Sequence, residues 1–106
     1  MSLPNPPTNY AAVVDPPSFC TLSWVNGAGA TSVRHEYSID NGATWQRLDD
    51  AQVPATTSDH TLPYPETSAG GTNTMTVLLR GKSRNAEGDS AYTPVVSVVT
   101  TEYSDR

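Results

Sequence analysis

His35, His60 and Cys20 are the side chains in this sequence best able to bind a transition metal or attack an electrophile. A zinc site takes three or four convergent nitrogen or sulfur donors. Here there are two histidines and one cysteine, and Cys20 alternates with Thr21 and Ser23 so that it faces inward. A catalytic thiolate needs a stabilising neighbour and solvent access. Cys20 beside Leu22 needs neither as a small core residue, and His35 is expected to be a satisfied or partly exposed side chain. Asp40, Asp49 and Asp50 could offer oxygens to calcium, which takes about 6–8 of them. They do not form a loop of alternating acids, and Asp49-Asp50 reads as the solvated end of a strand. Glycoside hydrolysis needs two carboxylates flanking a cleft, which a small sandwich lacks. There is no Gly-x-Ser-x-Gly, phosphate loop or dinucleotide fingerprint. The residues predict no catalytic set, no cofactor and no metal.

Charged and aromatic side chains offer binding chemistry instead. Arg80, Lys82 and Arg84 fall at every second position, so in an extended strand they share one side. Arg34 takes the outward side of another segment. Two roles fit these cations. Their stems can lie on exposed sheet with the charge in water, Glu36 and Glu87 serving as partners. Alternatively they form a face for an anionic partner or a neighbouring domain. Exposed rings could stack on sugars, with Trp45, Tyr64, Tyr92 and Tyr103 as candidates. Trp45 is expected to be half-buried, and the tyrosines do not fall on one strip. The net charge of −5 argues against nonspecific nucleic-acid binding, which depends on Lys and Arg releasing counterions. It also argues against docking on anionic lipid.

The elements that must position these groups are strands. The 106 residues suit one domain. Only 16% are charged, while Thr, Ser, Gly and Pro are plentiful, which fits short strands and many turns better than amphipathic helices. A single cysteine permits no internal disulfide, so packing must hold the fold. No apolar run is long enough to span a bilayer, and the start, rich in Pro4, Pro6 and Pro7, has no signal-peptide pattern.

Tyr10–Val14 reads as a first strand. Ser18–Val25 follows, with Cys20, Leu22 and Trp24 on one face. A third strand runs from about Thr31 to Asp40, with Val33, His35, Tyr37 and Ile39 on one side and Arg34, Glu36 and Ser38 on the other. Asn41-Gly42 is a strong turn signal, since both residues tolerate positive φ, and Trp45 opens the return strand. His60–Tyr64 reads as a short strand and 68–73 as a loop. Thr74–Arg84 is the longest strand, with Val77, Leu79, Gly81 and Ser83 inward. Thr93–Thr101 is the last. About seven strands with turns every 8–12 residues is a sandwich pattern.

The ordered set resembles a fibronectin type III domain. A Pro-rich start precedes the first strand, and the second ends in Trp24, where the family carries its core tryptophan. Val33-Arg34-His35-Glu36-Tyr37 is similar to the family's alternating Tyr-x-Val-x-Tyr. Asn85-Ala86-Glu87-Gly88-Asp89-Ser90 is similar to its Asn-x-x-Gly-x-Ser turn, and Pro94–Val98 to its last strand. There are departures. The family's corner tyrosine position holds Val77, so the corner is either missing or supplied by another residue such as Tyr64. His35 stands where an apolar core residue is expected, and Gly81 where a β-branched one is. Ser38–Trp45 also fits the Ser-x-Asp-x-Gly-x-Thr-Trp pattern of sialidase-type propellers. It occurs once, in a chain too short for a propeller, so Asp40 is expected to cap the turn and Trp45 to pack back.

The resemblance implies an all-β, fibronectin type III-like (immunoglobulin-like) sandwich of about seven antiparallel strands in two sheets. It implies that the strands bearing Arg34 and Arg80 are neighbours, so that Arg34, Arg80, Lys82 and Arg84 form one face. The expected organisation is a Pro-rich linker or tag over 1–7, the domain over 8–101 and a tail over 102–106. The hairpin is similar to those of bacterial and phage members. A non-enzymatic spacer or interaction module of a larger extracellular, cell-surface or virion protein is therefore expected, with a protein partner or neighbouring domains. The alternative is an accessory carbohydrate-binding module of a secreted glycan-active enzyme, with Trp45 as the contact. A standalone enzyme would need His35, His60 and an aspartate to converge.

Overall fold

The computed structural model describes residues 3–15, 19–63 and 71–104. Among these residues, eight antiparallel strands form two sheets: β1 (Thr8–Asp15), β2 (Phe19–Val25), β3 (Ser32–Ser38), β4 (Gln46–Gln52), β5 (Thr57–Thr61), β6 (Gly71–Asn85), the two-residue β7 (Gly88–Asp89) and β8 (Val96–Ser104). One sheet has the order β1-β2-β5. The other has the order β4-β3-β6-β7, with β8 also paired to β6. The all-β sandwich expected from the sequence is the fold observed.

Alternation decides which side chains meet between the sheets. Cys20, Leu22 and Trp24 point inward from β2, Val33 and His35 from β3, and Val77, Leu79, Gly81 and Ser83 from β6; all are buried. Leu62 and Ala51 complete the core, with Tyr10, Ala12, Val14 and Val98 packed against it. Burying a side chain such as Leu22 contributes about 1.5–3 kcal/mol, so these positions hold the sheets together without a disulfide.

Several sequence expectations are corrected. The third strand ends at Ser38, not Asp40. Ser38 is buried and Ile39 exposed, because Ser38 Oγ turns in to organise the loop. It donates to Asp40 Oδ1 at 2.7 Å and accepts from Gly42 N–H at 2.9 Å. Asp40 also accepts from the Thr44 backbone N–H at 2.9 Å and from the Thr44 hydroxyl. These bonds, the Thr44 hydroxyl first, hold the Asp40 carboxyl down at about 2. Asn41 and Gly42 have φ of 61° and 88°, so the predicted turn forms, though inside a longer loop that delays the return strand to Gln46. Ser38→Ala should lower unfolding free energy by about 1 kcal/mol, read as a fall in the urea midpoint with the m-value unchanged.

Asp49 and Asp50 are not a solvated strand end. They lie within β4, where a bulge opposite His35/Glu36 sets Arg47 against Glu36 and Asp50 against Arg34. The strand expected at His60–Tyr64 is β5, at Thr57–Thr61; Tyr64 lies outside the described residues. The last strand starts at Val96 rather than Thr93. Before it, Thr93 Oγ1 and Ser90 Oγ accept from Gly81 N–H and Ser83 N–H at 3.0 and 2.9 Å. The backbone N–H groups of Thr93 and Ser90 donate in return to Gly81 O and Ser83 O, each at 2.8 Å, so each hydroxyl takes the place of one backbone carbonyl in the ladder. Residues 102–104 belong to β8. In the lead-in, Pro4 and Pro7 are buried and Asn5 N–H donates to Ala28 O at 2.9 Å. A Cβ on Gly27 would overlap the Asn5 carbonyl oxygen, so glycine at 27 lets this segment lie flat on the domain.

Candidate functional site

Register brings the predicted cations together. β3 pairs β6 with Arg34 opposite Lys82, Glu36 opposite Arg80 and Ser32 opposite Arg84. Arg34, Arg80, Lys82 and Arg84 thus share the outer face of the five-stranded sheet, and β4 adds Arg47 beside Glu36. Every lysine and arginine among the described residues stands on this face.

Each cation has a carboxylate. Arg34 Nε donates to Asp50 Oδ1 at 2.9 Å, and Arg47 Nη2 lies 2.8 Å from Asp50 Oδ2. Arg80 places Nε and Nη2 each 2.9 Å from Glu36 Oε1. Asp89 takes Lys82 Nζ at 2.9 Å and Arg84 Nε at 3.0 Å. The Arg34 bond holds the Asp50 carboxyl below its ordinary range, and the Lys82 bond does the same for Asp89. The same pairs push the Arg34 and Lys82 pKa values up. Five cations share three carboxylates, so the face keeps a positive surplus in a chain whose net charge is −5. Arg47 and Arg84 are its open members, with side chains 61% and 37% exposed.

Aromatic rings back the centre. The Arg80 guanidinium lies 4.1 Å from the Trp45 ring centroid and 3.7 Å from that of Tyr92, whose hydroxyl donates to Glu36 Oε2 at 3.2 Å. Such stacking is worth about 0.5–2 kcal/mol per ring and holds the charge in a fixed orientation. It also occupies one face of Trp45, the ring offered for sugar stacking. Arg47 has no place among the sequence-based candidates, and Tyr92 enters them only as a ring for sugar stacking, not as a member of the cationic face. Arg47 lies two residues beyond Trp45 in an alternating segment, which is a usable signal. Tyr92 lies in an irregular segment, where periodicity says nothing.

The histidines sit elsewhere, between the sheets. Tyr10 O–H lies 2.7 Å from His35 Nδ1, and the His35 ring centroid is 4.6 Å from Trp24 and 6.2 Å from His60. His35 Nε2 is buried without a hydrogen-bond partner. Burial, reinforced by His60, pushes His35 down to about 4 despite Asp49 and Asp50. Burial raises the Tyr10 phenol, which keeps its proton to donate. His60 Nε2 lies 2.8 Å from Ser58 Oγ and 4.0 Å from Asp49 Oδ2. Cys20 is fully buried and its thiol is pushed up, by burial first and Asp59 second. Among the described residues, no three His, Cys, Asp or Glu side chains are grouped to hold a metal ion. A groove of about 500 Å³ between the lead-in with β1 and residues 92–96 is walled by prolines, Tyr10 and Tyr92, with no carboxylate, histidine or cysteine.

No family model matches this sequence, and no curated protein sequence matches it. Solved structures do. Domains A168–A170 of titin align with a TM-score of 0.73 at 17% identity, over 93% of this chain and 32% of that chain. FN3tt aligns at 0.67 and 17% identity, over 100% and 99%. An Fn3-like protein from Clostridium thermocellum aligns at 0.69 and 18% identity, over 91% and 92%. The chain therefore spans about a third of the titin chain and nearly all of the FN3tt chain. At these identities the likeness is one of fold.

Proposed function

We propose that this chain, which has the fibronectin type III fold, is a non-enzymatic module of a larger surface-exposed bacterial or phage protein. It sets the spacing and orientation of neighbouring domains and contacts an anionic partner, or a neighbouring domain, through the outer face of its five-stranded sheet. The observation that carries this reading is the concentration of Arg34, Arg47, Arg80, Lys82 and Arg84 on one face, over only three carboxylates.

The physical case is pre-organisation. Charge pairs and ring stacking already order these long side chains, so less rotamer entropy is lost on binding. The surplus charge steers an anionic surface toward the face and weakens with salt. Arg80 and Lys82 also tie Glu36, Tyr92 and Asp89 together, so reversing them would disturb the sheet itself. Arg47→Glu combined with Arg84→Glu is the cleaner test. Association of the full-length protein with its partner or adjoining domain should weaken at least about tenfold and lose most of its salt dependence, with the circular dichroism spectrum unchanged. Equal association by the variant and the parent would overturn the reading.

A further inference from the structure

The two broad faces of the sandwich differ in kind. The β1-β2-β5 sheet turns Val13, Phe19 and Val25 outward, all exposed, Val13 by 67%. Around them stand threonine and serine side chains, and the charged groups among the described residues of this face are Asp15 and Asp59. The opposite face carries the five cations, backed by Trp45 and Tyr92. One face is apolar and acidic, the other cationic with long aliphatic stems.

We propose that these two faces bind each other between copies of this chain, the β1-β2-β5 face of one copy seating on the cationic face of the next. The proposal rests on the reading above that the cationic face is a contact surface, and it names the partner. Asp15 and Asp59 meet the surplus positive charge, while Val13 and Phe19 cover the stems of the arginines, which bury methylenes and keep their charged ends free to pair. The two faces lie on opposite sides of the sandwich. A copy bound through one keeps the other free, so the contact is heterologous and grows as an open stack rather than closing as a dimer.

Sedimentation velocity on the chain, over a concentration series at low and high salt, tests this with two variants. Val13→Lys places a cation on the apolar face, and Arg47→Glu reverses the most exposed cation of the other. The parent chain should form species beyond a dimer at low salt and dissociate as salt rises. Each variant alone should be monomeric. An equimolar mixture should form a one-to-one dimer and stop, because each variant keeps the face that the other has lost. Asp59→Lys should behave as Val13→Lys does, which guards against a local folding defect in either. A parent chain that stays monomeric, an assembly that stops at two, or a mixture that stays monomeric overturns the proposal. If the chain stays monomeric while Arg47→Glu with Arg84→Glu still loses the partner of the full-length protein, only this inference falls and the proposed function stands.

Discussion

Gly81→Val should destabilise the domain by about 3 kcal/mol or more, the largest loss expected from a single methyl-bearing substitution in β6. A Cβ at position 81 would meet Tyr10 Cε1 at 2.8 Å and Cζ at 3.2 Å, with the Arg34 carbonyl oxygen at 3.4 Å. The middle of a ring held between two sheets cannot yield as the end of a flexible chain can. The Tyr10 ring must leave, which gives up its burial and its hydrogen bond to His35 Nδ1 and leaves that nitrogen unsatisfied beside the orphaned Nε2. Urea unfolding of Gly81→Val, Tyr10→Ala and the double variant checks this. Valine should cost about 1–2 kcal/mol less once Tyr10 is absent, since residues in contact couple by that order. Additive losses would show that Tyr10 and Gly81 do not constrain each other.

The second large effect is acid destabilisation through His35. Between its ordinary value of 6.5 and its folded value of about 4, the unfolded chain holds a proton on this ring and the folded chain does not. Unfolding therefore takes up a proton in that window, and stability rises with pH through it. The stabilisation is complete above about pH 6.5 and falls by about 3 kcal/mol as pH drops toward 4, a depressed pKa counting roughly 1.4 kcal/mol per unit. Asp50 and Asp89, whose carboxyls are held down by Arg34 and Lys82, act in the same direction at lower pH. Their contribution is present above the ordinary carboxylate range and is lost on acidification through their folded values. Urea midpoints from pH 4 to 8 should trace this limb. His35→Leu combined with Tyr10→Phe, which removes the ring without stranding a phenol, should flatten it between 6.5 and 4. A limb unchanged in that variant would assign the proton uptake to another group.

These two effects explain the departures from the family pattern. His35 in place of an apolar residue and Gly81 in place of a β-branched one look like separate anomalies along the chain. Register sets them opposite each other, and Tyr10 from the other sheet fills the gap and bonds the imidazole. The corner position does hold an apolar core residue, Val77.

By itself the sequence determined the sandwich. Period-two alternation placed Cys20, Leu22 and Trp24, and Val77, Leu79, Gly81 and Ser83, on buried faces. Asn41-Gly42 marked the turn after β3, and Arg80, Lys82 and Arg84 were legible as one outward row. Each of these is a local property, read within a few residues and tied to strand geometry. Only the tertiary structure decided the rest. Asp50 became the anchor of Arg34 and Arg47 through a bulge that alternation does not encode. Tyr92, in an irregular segment, came to cover Arg80 because Glu36 accepts its hydroxyl. Tyr10, His35 and Gly81 became one unit across three strands. Strand periodicity tells which way a side chain points, whereas the pairing of distant strands decides what it meets there.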